Sequence, residues 1–364
     1  MLGGQHLTRA YINRIATGVP PHDVHTAFVS YALSLFERDE RRLIALKRMI
    51  ERAGIEHRYS YLRPAGDGGE GAALDADSFY IRGNFPNAAA RMRLFEAEAP
   101  ELAEATIERL GLGAARSRIS HLLLTSCAGL SAPGVELDLI QRCRLPTSIE
   151  RTTIGFMGCY AAINALKLAR HIVRSEPSAR VLVVNLELCT LHFQETIDLE
   201  QVLCFVLFSD GCAACLVTAD PQGIALDDFK AMILPNTREL MAWTIRDFGF
   251  DMVLSGKVPA AIQDAIRARS NEILAATPAD SMDLWAIHPG GRTILDAVQA
   301  ALDLRPAALA ASRDILRRYG NMSSATVMFV LNALMRSAAK GAHGCAMSFG
   351  PGLVAETMTF SVAS

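Results

Sequence analysis

The chain has 364 residues, 51% of them hydrophobic, and its 36 Lys and Arg residues nearly balance its 38 Asp and Glu residues. That length and composition allow a large buried core, and the near-neutral charge argues against a nucleic-acid partner. No stretch has the roughly 18 apolar residues that a membrane helix needs. Met1–Pro21 has no continuous apolar core, so we expect no secretory signal and a cytoplasmic protein.

The first predicted elements are two helices. Arg41–Gly54 carries apolar residues at the spacing of one helical face and ends at a glycine. Ala88–Leu112 is rich in Ala, Glu and Leu. Between them, Arg63–Asp77 is rich in Gly, Ala and Asp and is predicted to be a loop.

Strands then alternate with helices along the chain. The predicted strands are Ile119–Thr125, Arg151–Ile154, Ala179–Glu187, Phe205–Phe208, Ala213–Thr218, one near Ala225–Leu234, Leu284–Ile287, His343–Ser348 and Val354–Ser361. The predicted helices are Gly134–Arg142, Ala161–Arg174, Pro259–Ala275, Thr293–Leu302, Pro306–Tyr319 and Ser323–Lys340. This alternation predicts an α/β protein with layered sheets.

The spacing of these elements indicates an internal duplication. The interval from Thr125, at the end of one strand, to Cys159 equals the interval from Ile287 to Asn321. Each interval ends at a small-residue turn that opens a helix, and a strand follows each helix. We therefore predict two βα halves, residues 1–220 and 221–364, whose helix openings meet at one central site.

The cysteines are not a disulfide framework in a chain of this length. They lie at Cys127, Cys143, Cys159, Cys189, Cys204, Cys212, Cys215 and Cys345. Only Cys212 and Cys215 have the C-x-x-C spacing, and no second pair completes a zinc site. We expect buried, reduced thiols and no metal site.

Cys159 is a candidate nucleophile. It follows a glycine and precedes a strong helix former, Ala161–Ala169. The unpaired N–H groups and the dipole of a helix N-terminus favour a thiolate, which is the nucleophile that accepts an acyl group from a thioester. The alternative is a buried structural cysteine, the commoner role for any one of eight.

Two polar residues of the second half are candidate partners of this thiol. His288 ends the apolar strand Leu284–Ile287 just before Pro-Gly-Gly, at the strand end where α/β active sites lie. It could hold Cys159 in an ion pair or donate a hydrogen bond to a thioester carbonyl, whereas a surface or capping role is the alternative. Asn321 precedes a helix, and it is either a helix cap or an uncharged donor to the same carbonyl oxygen.

Four motifs together resemble the chalcone synthase-like family, the type III polyketide synthases, and the likeness extends from about Arg41 to Thr359. They are Gly158-Cys159, Ile287-His-Pro-Gly-Gly, Tyr319-Gly-Asn-Met-Ser-Ser-Ala and Phe349-Gly-Pro-Gly-Leu. The resemblance implies a thiolase-like fold, in which two duplicated halves form a five-layered αβαβα core. It also implies a homodimer that needs no metal or organic cofactor beyond CoA thioesters. The stretch from Glu187 to Phe193 is similar to the bacterial branch.

By this resemblance, three residues form a catalytic triad. Cys159 carries the starter and the growing chain, while His288 and Asn321 assist malonyl decarboxylation and stabilise the enolate. Phe208 matches a phenylalanine that stands between the CoA tunnel and the cavity, and Gly290 belongs to the histidine motif. The alternative for Phe208 is ordinary core packing.

Other positions of the resemblance concern substrate binding. Arg48 and Arg52 match two basic positions that bind CoA phosphates, and a third such position has lost its charge at Ala45. The second gatekeeper position is Met252, which gives a softer mouth than phenylalanine. Cys127 occupies a cavity position that holds a hydroxyl residue in the plant enzymes.

Further departures from the plant enzymes bear on cavity volume. Trp243 stands where they have a glycine, and Ala132 where a methionine of the partner subunit closes the cavity. Ser348 replaces the first glycine of the C-terminal turn. Small Ala132 and Cys204 predict an opening for an alkyl chain, whereas Trp243 fills the usual volume. We therefore expect a medium or long acyl-CoA starter that gives an alkylpyrone or alkylresorcinol, with a compact aromatic made from malonyl-CoA alone as the alternative.

Two other classes of protein share parts of this pattern. A ketoacyl-ACP synthase III has the same Cys-His-Asn arrangement, but it is expected to carry Asn-Thr-Ser rather than Asn321-Met-Ser and to lack the Phe349-Gly-Pro-Gly-Leu turn. A hydroxymethylglutaryl-CoA synthase would need a glutamate near the nucleophile, and Thr152–Ala162 contains none. A non-catalytic acyl-CoA-binding scaffold is a further alternative, which the presence of all three triad residues disfavours.

Overall fold

The computed structural model describes residues 8–65 and 73–363. Its strands are β1 (Tyr11–Gly18), β2 (His22–Asp23), β3 (Tyr59–Ser60), β4 (His121–Ser126), β5 (Glu150–Gly155), β6 (Val181–Leu188), β7 (Asp210–Thr218), β8 (Ile224–Ile233), β9 (Met241–Arg246), β10 (Gly249–Leu254), β11 (Leu284–Ile287), β12 (His343–Gly350) and β13 (Val354–Val362). Its α-helices are α1 (His25–Ser34), α2 (Glu40–Ala53), α3 (Ala88–Arg109), α4 (Val135–Arg142), α5 (Ala161–Ser175), α6 (Leu199–Leu207), α7 (Val258–Ile273), α8 (Arg292–Ala301), α9 (Ala310–Tyr319) and α10 (Ser324–Ser337).

Nine of these strands form one mixed sheet in the order β11-β12-β13-β8-β1-β7-β6-β4-β5. β4 pairs in parallel with β5 and β6 at one end, and β11 pairs in parallel with β12 at the other. Antiparallel strands join the two ends. β1 meets β8 over only two residue pairs, Tyr11 with Ala225 and Ile12 with Ile224. This short contact divides the sheet into an N-terminal and a C-terminal half.

Each half of the sheet is covered by helices on both faces. In β4, Leu123 packs toward the central helices α5 and α10, whereas Leu122 packs against α3 and α4. In β12, Ala346 faces the same central helices and Met347 packs against α7 and α8. Successive side chains of a strand point to opposite faces, so each strand serves two cores. The result is the predicted five-layered αβαβα arrangement.

The prediction of a strand at Phe205–Phe208 is wrong. Phe205 lies in α6, which begins after Asp198, whose side chain accepts a hydrogen bond from the Gln201 backbone N–H. A short apolar run has no periodicity that separates strand from helix, and here the cap fixes the start of a helix. Phe208 lies just beyond α6 and forms a β-bridge with Asn321.

Several elements were not predicted, and others were only partly predicted. β1, α1 and the β9–β10 hairpin are absent from the prediction, and Pro306–Leu309 of the predicted helix Pro306–Tyr319 is a 3₁₀ turn before α9. Two parts of these predictions lie outside the described residues. They are residues 1–7 of the segment expected to lack a signal and residues 66–72 of the predicted loop.

The C-x-x-C pair lies within β7. Cys212 packs in the outer core under α3, while Cys215 packs in the central core under α5 and α10. A spacing of three residues places two side chains on opposite faces of a strand, so this pair cannot bind one ion. Both thiols are buried and free.

Candidate active site

Cys159 lies in a tight turn at the N-terminus of α5. Gly158 precedes it with a φ of 71°, and a Cβ at that position would approach Pro351 Cδ to 2.4 Å. The turn therefore needs glycine both for its backbone conformation and for its contact with the C-terminal Gly350-Pro351-Gly352 turn. Cys159 is 6% exposed.

His288 directly follows β11, as predicted. Its backbone N–H donates to the Met347 carbonyl on β12 at 2.8 Å, which fixes the start of the loop. His288 is 1% exposed, and neither ring nitrogen has a hydrogen-bond partner among the described residues. A buried polar ring without partners is unusual, because an unpaired buried donor is destabilising.

Asn321 precedes α10, and hydrogen bonds hold both its side chain and its backbone. Its side-chain oxygen accepts from the Ser323 N–H at 2.9 Å, and its Nδ2 donates to the Gly290 carbonyl at 3.2 Å. The Asn321 N–H donates to the Leu207 carbonyl at 3.0 Å. These bonds fix the amide orientation and leave one Nδ2 hydrogen free. The residue is thus a fixed donor rather than a simple helix cap.

The three residues line one cavity of about 300 Å³. Apolar side chains from α2, α6, α8 and the β9–β10 hairpin form most of its wall, among them Met49, Leu203, Met252, Leu254 and Ile294. This volume is at the lower end of the range for small-molecule sites. A mostly apolar cavity with a few convergent polar atoms is the usual form of an active site.

Burial sets the charge state of the reactive groups. It raises the pKa of the Cys159 thiol to about 12, with Ser323 and Asn321 opposing the shift, and it lowers the pKa of His288 to about 3. Burial thus opposes the thiolate that the helix N-terminus was predicted to favour. The imidazole is neutral at physiological pH, so it presents one N–H donor and one nitrogen acceptor.

A second, smaller pocket lies on the other side of Phe208. Its volume is about 30 Å³, and it is lined by Cys189, His192, Phe193, Gln194, Gln201, Cys204, Phe205, Phe208, Trp243 and Met252. Trp243 and Met252 lie directly opposite each other on the β9–β10 hairpin. Phe208 and Met252 line both spaces. They therefore lie between the two spaces.

Two polar groups around the small pocket have carbonyl partners, whereas His192 Nδ1 has none among the described residues. Trp243 Nε1 donates to the Cys127 carbonyl at 2.7 Å, and His192 Nε2 lies 2.6 Å from the Ala128 carbonyl. The His192 ring stacks on Phe250 with centroids 3.9 Å apart. The indole is thereby fixed across the space that a glycine would leave open.

A buried carboxyl group lies behind the nucleophile. Glu187 accepts from Ser324 Oγ at 2.5 Å, from the Cys127 N–H at 3.0 Å and from Cys127 Sγ at 3.2 Å. Cys127 Sγ also lies 3.2 Å from Ser323 Oγ. Burial raises the pKa of Glu187 to about 7. Cys127 is therefore a member of this network rather than a residue of the cavity wall.

The structure brings together most, but not all, of the predicted site residues. Cys159, His288, Asn321, Phe208, Met252, Gly290 and Arg52 line the main cavity, and Cys204 and Trp243 line the small pocket. Ala132 and Arg48 are exposed and line neither space in a single copy of the chain. Ser348 is buried, and its hydroxyl has no partner among the described residues.

Sequence reasoning missed three residues near the site. Ser323 follows Asn321 in the same turn, and its φ of 47° in a residue other than glycine marks a strained backbone. Glu187, near the end of the fully buried strand β6, could have been found as a carboxyl group in an otherwise apolar segment. His192 gave no signal, because its contacts are with distant parts of the chain.

Two features are absent from the part of the chain that the structure describes. Within residues 8–65 and 73–363, no group of three or more His, Cys, Asp or Glu side chains is placed to hold a metal ion. None of the helices in that same part of the chain is long and apolar enough to cross a membrane.

Two family models match nearly the whole chain. The N-terminal domain of chalcone and stilbene synthases matches residues 8–221, and their C-terminal domain matches residues 226–363. A curated relative, the alpha-pyrone synthesis polyketide synthase-like Pks18 of Mycobacterium tuberculosis, is 30% identical over 98% of this chain and 92% of its own length.

Solved structures show the same architecture. The 1,3,6,8-tetrahydroxynaphthalene synthase of Streptomyces coelicolor, a bacterial type III polyketide synthase, superposes with a TM-score of 0.85 at 26% identity, covering 97% of this chain and 99% of that one. The type III polyketide synthase domain of Steely1 from Dictyostelium superposes with a TM-score of 0.88 at 24% identity, covering 98% and 100% of the two chains. The latter likeness concerns the fold alone.

Proposed function

This chain belongs to the chalcone and stilbene synthase family and is a type III polyketide synthase, and we propose that it extends an aliphatic acyl-CoA starter with malonyl units. The observation that supports this mechanism best is the apolar cavity in which the Cys159 thiol, the unpaired His288 imidazole and the fixed Asn321 amide meet. The proposed steps use these side chains and CoA thioesters as substrates.

The first proposed step loads the starter. Cys159 Sγ attacks the carbonyl carbon of the acyl-CoA, and the imidazole of His288 takes the thiol proton. The bond between the carbonyl carbon and the CoA sulfur then breaks, and CoA leaves as a thiol with that proton. The imidazole is neutral at physiological pH, so one ring nitrogen has the lone pair that accepts the thiol proton.

The second proposed step extends the chain. Malonyl-CoA loses CO₂, and the electron pair of the broken C–C bond becomes an enolate, whose oxygen accepts hydrogen bonds from His288 and Asn321 Nδ2. Two neutral donors stabilise that oxygen without protonating the carbon too early. The enolate carbon then attacks the thioester on Cys159, which forms a C–C bond and releases the cysteine sulfur. The lengthened chain is left on CoA.

The aliphatic starter is supported by the walls on both sides of Phe208. Leu203, Leu254 and Met252 give the main cavity an apolar surface, and the small pocket is bordered by the compact side chains of Cys189 and Cys204. These residues suit an alkyl chain better than a polar starter. The expected products are alkylpyrones or alkylresorcinols.

A second candidate reaction uses malonyl-CoA alone and gives a compact aromatic. The fixed Trp243 and the small volume behind Phe208 favour it, because about 30 Å³ holds no more than about two water molecules. Mass spectrometry of products from malonyl-CoA, alone and with saturated acyl-CoAs of graded length, separates the two. Products only with acyl-CoAs support the alkyl starter, and products only with malonyl-CoA refute it.

Assays with malonyl-acyl carrier protein, and of acyl-CoA binding and malonyl-CoA decarboxylation, test the more distant alternatives. Condensation that requires malonyl on an acyl carrier protein would indicate ketoacyl synthase activity. Binding of acyl-CoA without decarboxylation of malonyl-CoA would indicate a scaffold. Polyketide masses contradict both.

We further propose a cytoplasmic homodimer. β5 ends the large sheet, and no strand of the described residues pairs with its outer edge. Its side chains are mostly exposed, and Leu130, 47% exposed, lies on the loop that carries Ala132. An uncovered edge strand tends to pair with another chain. The eight free, buried thiols suit a reducing compartment. Light scattering after size exclusion should give twice the mass of the 364-residue chain, and a monomer mass would contradict the dimer.

A further inference from the structure

Arg58 is fully buried at the end of α6. Its Nη1 donates to the carbonyl oxygens of Phe205 at 2.7 Å and Phe208 at 3.1 Å. Its Nε donates to His25 Nδ1 at 3.0 Å, and the guanidinium lies 5.5 Å from the centre of the Phe28 ring. The side chain thus makes four contacts, two with the segment that carries Phe208 and two with α1.

The buried charge of Arg58 is stabilised by the groups around it. Burial lowers the pKa of Arg58 to about 9, with Asp23 and Asp210 opposing the shift, so the group remains charged at neutral pH. The last carbonyls of a helix lack intrahelical donors and carry partial negative charge. Arg58 supplies both the donors and the charge for the C-terminus of α6.

Arg58 also packs against the turn that carries Asn321. Gly320 has a φ of 67°, and a Cβ there would lie 2.8 Å from Arg58 Cγ and 3.0 Å from the Leu207 carbonyl. The turn and the end of α6 are joined by the two bonds of their β-bridge. The Asn321 N–H donates to Leu207 at 3.0 Å, and the Ser209 N–H donates to the Asn321 carbonyl at 2.9 Å.

We propose that Arg58 is a positioning residue that fixes Phe208 and Asn321 relative to each other. It does so through the carbonyls at the end of α6 and through its packing against Gly320. This inference rests on the roles of Phe208 and Asn321 in the proposed function. Arg58 lies outside both cavities, yet by this proposal it aligns Phe208 with Asn321, the donor to the enolate oxygen.

The informative variant is Arg58→Lys. Lysine keeps the charge, but one ammonium group cannot donate along the fixed directions to Phe205, Phe208 and His25 together. The matched control is Arg170→Lys. Arg170 is also buried, donates to the Asp227 carbonyl and lies 4.6 Å from the centre of the Phe229 ring, in the second half of α5.

The first measurement is hydrogen exchange followed by mass spectrometry, which needs no enzymatic activity. In Arg58→Lys, peptides containing Phe208–Ser209 and Asn321 should both exchange about tenfold faster, because the bonds of their β-bridge open together. In Arg170→Lys neither peptide should change. Faster exchange in only one peptide, in neither, or equally in both variants would overturn the proposal.

The second measurement separates positioning from general loss of structure. In Arg58→Lys, kcat for malonyl-CoA decarboxylation should fall about ten- to hundredfold, while the rate of Cys159 alkylation by iodoacetamide stays within about threefold of wild type. A parallel fall of both rates would contradict the proposal. If wild type makes no polyketide, the proposed function fails, yet the exchange result still decides the role of Arg58.

His25→Leu serves if Arg58→Lys does not fold. It removes the acceptor of Arg58 Nε while keeping both carbonyl contacts, so the same two peptides should exchange about threefold faster. Unchanged exchange in both peptides would overturn the proposal.

Discussion

The two spaces on either side of Phe208 differ in how their polar groups are satisfied. In the main cavity both ring nitrogens of His288 lack a partner among the described residues, whereas in the small pocket only Nδ1 of His192 lacks one. His192 Nε2 lies 2.6 Å from a carbonyl, and the ring stacks on Phe250. Burial lowers the pKa of each histidine to about 3. Burial and pKa are therefore alike, and only the partners differ.

This difference indicates which of the two spaces hosts the reaction and which one sets the shape of the space for the substrate. A buried polar atom that lacks a partner is available to a substrate, and the protein tolerates its unfavourable burial at a functional site. A buried polar atom with a partner holds its side chain in one orientation, and that side chain then sets the shape of the pocket. We therefore expect the reaction to take place in the main cavity, and we expect the small pocket, in which Trp243 donates to the Cys127 carbonyl, to limit the length of the chain that fits.

Loss of the nucleophile should give the largest effect. Cys159→Ala should lower polyketide formation by at least about 10³-fold, because Cys159 is the only thiol among the described residues that line the main cavity. Product mass spectrometry measures this, and Cys143→Ala, a buried thiol in the outer core, is the control. Products from Cys159→Ala at the rate of the control would refute the assignment.

Comparing the two histidines tests the contrast directly. His288→Gln should lower kcat/KM by about 10²- to 10³-fold, since it removes a free donor aimed at the developing oxyanion. His192→Gln should lower it by less than about tenfold, because that ring sets shape only. Steady-state assays with malonyl-CoA provide both values. Equal losses would contradict the division into a reactive space and a wall.

Opening the small pocket should change the product more than the rate. Trp243→Leu removes the indole and its bond to the Cys127 carbonyl, so longer starters or additional malonyl units should fit. We expect kcat within about tenfold of wild type, because Trp243 does not line the main cavity. If Trp243→Leu gives the same product masses as wild type with every starter, the indole does not limit the length of the chain.

The smallest expected effect concerns the stability contributed by Glu187. The pKa of Glu187 is about 7 in the folded protein, above its ordinary value near 4.5. Its contribution to the free energy of unfolding is therefore fully present below pH 4.5 and is lost as the pH rises through 7. Glu187→Gln has no such loss. The free energy of unfolding of the variant, relative to wild type, should therefore rise by on the order of 2 kcal/mol between pH 5 and pH 8.

Chemical denaturation at the two pH values measures this change. Ser324→Ala is a useful companion, because it removes a donor to Glu187 without changing its charge. A relative stability of Glu187→Gln that stays constant, or falls, as the pH rises would show that the carboxyl group ionises freely.

Much of the fold could be predicted from patterns that are local. Ala161–Arg174 and Leu284–Ile287 match α5 and β11 because periodicity and flanking turn residues fix them. The hairpin of β9 and β10 was missed, since its polar and apolar residues do not alternate clearly. The segment at Phe205 was misassigned because an apolar run fits either structure.

The sequence by itself determined the chemistry of the site: a thiol after Gly158, an imidazole at the end of a strand and an amide before a helix. These follow from residue types and adjacent turns. Only the tertiary structure decided which polar atoms lack partners, how Trp243 closes the small pocket, and how Arg58 reaches Phe208. Those properties arise from contacts between segments far apart in the chain, and no local pattern encodes the burial that raises or lowers a pKa.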